Sequence, residues 1–109
     1  MGRAARTLYP GTQERAHALG ARIRAARIRR RMTETELAAR VMVSRPTMRK
    51  LETGDLSVSL AVLVQTLEVL GLEADLDLIA GNDELGRRLA DARLPRPRRP
   101  AAPSPADEL

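Results

Sequence analysis

The chain has 109 residues, enough for one small domain with flanking segments and too few for two. It holds one Tyr, no Phe, no Trp and no Cys, so the core is aliphatic and disulfide scaffolds, thiolate metal sites and cysteine nucleophiles are excluded. The net charge is +5 but unevenly spread: residues 1–50 carry thirteen cations against three acids, residues 51–85 carry eight acids and no Lys or Arg, and residues 86–99 carry six Arg against one acid. Such a split implies a cationic face for a polyanion and a separate acidic surface.

No apolar run approaches the roughly 18 residues that span a membrane. The two early Arg are not followed by an apolar block, so no secretion signal is read, and a cytoplasmic, nucleoid-associated location is expected.

In chain order, residues 1–12 ("MGRAARTLYPGT") read as a flexible arm closed by a Pro-Gly turn signal. From 13 to 31, Ala16, Leu19, Ile23 and Ala26 form one apolar stripe at helical spacing, with Thr12 as the expected cap. The other faces of that helix carry Arg22, Arg24, Arg27, Arg29, Arg30 and Arg31.

"TETELAARV" opens with a capping box, Thr33 and Glu36, and continues with the core pair Leu37 and Val41. Only Met42, Val43 and Ser44 separate it from the next helix, read within "VSRPTMRKLETGD" and starting at Arg45, which makes a tight helix-turn-helix. Ser44 is the natural cap. Pro46 then falls in the first turn, where backbone N–H groups have no intrahelical partner to lose. Met48 and Leu51 face the core; Arg45 and Arg49 stand i, i+4 on the outward side with Lys50 beside them, and Gly54 stops the helix.

"SVSLAVLVQTLEVLGL" carries the third apolar period and ends at Gly71, with Ser59 or Ser57 as cap. In "LEADLDLIA" the period changes to two: Leu72, Ala74, Leu76 and Leu78 alternate with acids, the pattern of a half-buried strand. A single strand has no partner inside a helical domain, so pairing with the same strand of a second chain is expected, making a homodimer. Residues 83–94 have weak helical character. From Pro95 onward Pro and Arg dominate and that run is expected to be disordered, within a flexible C-terminal tail over 81–109.

Signs of catalysis are few. The seven Gly are scattered singly, with no phosphate-cradling loop, and Asp75 and Asp77 lack a third cation ligand. No enzyme and no cofactor are expected. The specific signal is the helix-turn-helix, whose second helix enters the major groove N-terminus first. Arg45 and Arg49 can read guanine or grip phosphate, Ser44 and Thr47 can reach phosphates at the helix terminus, and Lys50 is a further phosphate contact.

These marks, "LGARIRAAR", "ELAARV", the "S..T...LE.GD.S.SL" run and the closing "LEVLGLEADLDL", resemble the Xre/Cro family of helix-turn-helix regulators over roughly residues 19–80. The last mark is similar to the HipB-type antitoxins. The resemblance implies an all-α, lambda-repressor-like domain of four to five helices over residues 13–71, with residues 72–80 pairing as a strand between the subunits of a dimer. It further implies a repressor of its own operon that binds a palindromic operator in double-stranded DNA and partners a HipA-like Ser/Thr kinase toxin. The implied DNA-facing set is Thr33, Glu34, Ser44, Arg45, Pro46, Thr47, Arg49 and Lys50. Three positions depart from the family pattern: Glu34 replaces the usual Gln, Met42 the usual turn Gly, and Pro46 a small residue. A stand-alone regulator and an interaction adaptor with a degenerate motif are the alternatives.

Overall fold

The computed structural model describes residues 7–93. Among them lie five α-helices, α1 (Pro10–Arg29), α2 (Glu34–Val41), α3 (Arg45–Glu52), α4 (Leu60–Leu70) and α5 (Glu84–Arg93), and a 3-10 segment over Glu73–Leu78. The described residues are thus all-helical, without a strand.

The helices start where local chemistry tells them to. The Thr33 hydroxyl accepts from the Glu36 N–H while Glu36 accepts from the Thr33 N–H, so the capping box closes at the head of α2. Ser44 accepts from the Thr47 N–H and Ser59 from the Val62 N–H, capping α3 and α4. α1 departs from expectation. It begins at Pro10 behind Tyr9 rather than after Thr12. The Pro-Gly pair starts this helix because a fixed φ suits the first helical position and the missing N–H has no partner there.

The first compact unit ends at Leu76, and a second begins at Asp77. In the first, α3 packs on α1 and α2, and α4 packs on α2 and α1. The core between them holds Ile23 and Ala26 of α1, Leu37, Ala38 and Val41 of α2, Met48 and Leu51 of α3, and Leu70 of α4, with Met32 from the α1–α2 link. Two glycines allow α1 to pass close to the end of α3. A Cβ on Gly20 would sit 2.5 Å from the Gly54 backbone nitrogen and 2.7 Å from the Glu52 carbonyl oxygen. Gly54 itself has φ +79, and a Cβ there would collide with the Ala16 carbonyl.

The expected strand at 72–80 is corrected. Glu73–Leu78 forms a 3-10 helix, with the Asp75 N–H donating to the Leu72 carbonyl at 3.0 Å. Period-two alternation describes which side chains prefer burial but supplies no partner ladder. Among the described residues there is none, so the backbone meets its hydrogen bonds locally. Leu72 and Leu76 are half-buried, whereas Ala74 and Leu78 are exposed, so the four do not share one covered face. The weak helical character read at 83–94 takes shape as α5. Asp83 accepts from the Gly86 N–H at the head of α5, and the second unit holds that helix through Arg93. The Pro/Arg-rich run lies outside the described residues.

Candidate nucleic-acid interface

The α2–turn–α3 motif turns on Met42, which takes the left-handed conformation at φ 67, ψ 44 and closes α2. Its side chain is 87% exposed, so no packing offsets the strain of a Cβ in that region. The N–H groups of Met42 and Val43 nevertheless bond back to the Ala39 and Ala38 carbonyls, which keeps the turn short.

α3 then presents its N-terminal face. Arg45 and Pro46 occupy its first two positions and are exposed, with Arg49 and Lys50 on the same outward side. A cation at a helix N-terminus opposes the macrodipole, so Arg45 is not there for the stability of α3. Ser44 and Thr47 are joined by a 2.9 Å bond in which the Ser44 hydroxyl donates. Thr33 spends its acceptor oxygen on the capping box.

Glu34, the first residue of α2, gathers the arginines. Its Oε1 accepts from Arg49 Nε at 3.3 Å and Nη2 at 3.2 Å, and Arg45 Nε lies 3.5 Å from the same oxygen. The Glu34 side chain is 14% exposed, against 59% for Arg45 and 62% for Arg49. Partial burial pushes the Glu34 carboxyl up. The hydrogen bond and positive charge of Arg49 outweigh that and hold it below the usual carboxylate range. The ionised carboxylate is therefore the resident form near neutral pH.

Beneath this lies an ion pair absent from the sequence expectations. Arg27, read there as one of the outward cations of α1, is 8% exposed and Glu52 is 5% exposed. Arg27 Nε donates to Glu52 Oε2 at 2.7 Å, Nη2 donates to Oε1 at 3.0 Å, and Nη1 donates to the Met32 carbonyl at 2.9 Å. The fork thus ties α1 to α3 and to the α1–α2 link. The hydrogen bond to Glu52 raises the Arg27 pKa further, so it stays charged throughout the working range. A signal was present in the sequence: Arg27 is four residues after Ile23 and Glu52 four after Met48, so each charge sits on an apolar stripe.

Arg24, Arg27, Glu34, Arg45, Arg49, Glu52 and Thr53 line one open cleft of about 500 Å³, which adds Arg24 of α1 to the cationic rim. Among the described residues no group of three or more His, Cys, Asp or Glu could hold a metal ion. None of the described helices is long and apolar enough to cross a membrane.

Comparison with known proteins places this geometry in a family. Residues 18–78 match the family described as "Helix-turn-helix domain". The crystal structure of the clp gene regulator ClgR from Corynebacterium glutamicum is similar at 30% identity, covering 68% of this chain and 88% of that one, with a TM-score of 0.47. No curated protein matches the chain. The family match spans more than half of the sequence and includes both helices of the motif and the core that holds them, so the chain belongs to the helix-turn-helix domain family and is a DNA-binding regulator rather than an enzyme.

Proposed function

We propose that the protein is a sequence-specific transcriptional repressor that reads a palindromic operator as a homodimer. The observation that carries this reading is the exposed N-terminal face of α3, where Arg45, Arg49 and Lys50 stand outward on a helix anchored by Met48 and Leu51. Thr33, Glu34, Ser44, Pro46 and Thr47 surround that face and complete the proposed DNA-contacting set. Arg45 and Arg49 have the donor geometry for guanine O6 and N7; Lys50 and the helix terminus suit phosphates. A single α3 covers few base pairs, and two copies on a two-fold axis supply the rest.

The test is selection of bound duplexes from randomised DNA by the full chain. The reading expects a palindrome whose half-sites lie about one helical turn, roughly 10 bp, apart. Recovery of unrelated sequences would reject it.

The antitoxin role, with a HipA-like kinase as partner and autoregulation of the operon, rests on the likeness of "LEVLGLEADLDL" alone, now that this run is helical. A stand-alone regulator accounts equally for the DNA-facing geometry. Co-purification from the source cells after nuclease treatment separates them. A stoichiometric kinase supports the antitoxin, and recovery of this chain without a partner protein supports the stand-alone regulator.

A further inference from the structure

We propose that Glu34 is a positioning residue for DNA reading. One carboxylate oxygen holds Arg45 and Arg49 by their inner edges and presents the outer ends of both guanidinium groups to base pairs, exchanging general phosphate affinity for discrimination. This rests on the DNA-reading function proposed above.

Glu34 comes at a cost. A carboxylate on the face that meets a polyanion repels it, and Glu34 cancels one unit of charge among the cations of the cleft. That repulsion is sustained by what the carboxylate does to its neighbours. Guanidinium groups carry five N–H donors in a planar fork. Arg49 spends Nε–H and one Nη2 hydrogen on Glu34 Oε1, and Arg45 turns its Nε edge to the same atom. More than half of each arginine side chain is exposed, so the outer ends of both guanidinium groups are accessible from solvent. A free arginine would lose substantial rotamer entropy on docking to a base. Here part of that loss is already taken in the unbound protein, as it is for any preorganised contact.

The anchor is itself held. Glu34 is the first residue of α2, behind a closed capping box, and the Arg27–Glu52 fork lines the same cleft. The three arginines of the rim therefore differ in role. Arg45 and Arg49 are oriented by Glu34. Among the described residues Arg24 forms no ion pair, and it lines the cleft as a further cation.

The experiment compares the full-length protein with Glu34→Gln and Glu34→Asp on two duplexes, the selected operator and a scrambled one, across a salt series. Circular dichroism melting accompanies each variant. Glu34→Gln removes the repulsion and loosens the arginines. It is expected to tighten the scrambled duplex several-fold and steepen its log-affinity slope by about one phosphate contact. The operator-to-scrambled ratio is expected to fall tenfold or more. Glu34→Asp keeps the charge but withdraws it from both guanidinium groups, so the ratio falls without a gain on the scrambled duplex. This second variant also decides the matter should the Gln variant fail to fold. A ratio unchanged in the folded variants overturns the role of Glu34 alone. A wild-type protein that does not prefer its selected duplex overturns the DNA-reading function and this inference with it.

Discussion

At the scale of single residues, the strain at Met42 and the pair Arg27–Glu52 make the sharpest claims. Met42 sits at φ 67 with an exposed side chain, so replacing it removes a steric penalty and loses no packing. Met42→Gly is expected to stabilise the fold by about 0.5–1 kcal/mol in urea denaturation, the gain being trimmed by the extra freedom glycine has when unfolded. Glu52→Ala strands the Arg27 guanidinium at 8% exposure and is expected to cost about 3–5 kcal/mol. Pairing Glu52→Leu with Arg27→Met should recover most of that loss, because two buried charges are replaced by apolar volume. A double variant as unstable as the single one would show that the pair contributes more than mutual neutralisation. Thr66 offers a quieter test. It is fully buried and its hydroxyl has no hydrogen-bond partner among the described residues, so Thr66→Val should be neutral or stabilising.

Secondary-structure elements show where sequence reasoning reaches and where it stops. The caps Thr33, Ser44 and Ser59 were legible because a cap is a contact within three residues, written in consecutive letters. The i, i+4 arrangement of Arg45 and Arg49 was legible for the same reason. The Gly20–Gly54 approach and the Arg27–Glu52 fork join positions 34 and 25 residues apart, and no local pattern announces which glycine or which charge will find the other. The strand at 72–80 failed for a third reason. Alternation reports side-chain preference, while a strand also needs a neighbour for its backbone. The close passage of α1 and α3 predicts that Gly20→Ala is severely destabilising, by about 1–3 kcal/mol or more, because the obstruction is backbone and cannot rotate away. Thermal melting would read this. A melt matching wild type would mean that the two helices can separate at little cost.

Over the whole molecule, charge governs both stability and binding. The carboxyls of Glu34 and Asp55 are both held below their ordinary values. For Asp55 the cause is the hydrogen bond from the Ser57 backbone, with a further one from its side chain; for Glu34 the cations of α3 overcome the opposing effect of burial. A carboxyl whose folded pKa is depressed contributes stability that is present above its unfolded pKa and lost as pH falls through the folded one. The fold should therefore be insensitive to pH from neutrality down to the ordinary carboxylate range near 4, and weaken below it. Asp55→Ala should flatten part of that acid limb in melts taken across pH. On the binding side, exposed Arg and Lys on α3 and Arg24 on the cleft rim make every proposed phosphate contact sensitive to salt.

The most direct test is titration of the full chain and of an Arg45→Ala, Arg49→Ala double variant onto the selected operator over a series of salt concentrations. Wild-type affinity should fall linearly in log–log form with salt. The double variant should fold normally, bind more weakly by about 1–3 kcal/mol for each lost base contact, and lose its preference for the operator over scrambled DNA. A double variant that keeps that preference would show that the face of α3 does not read the DNA.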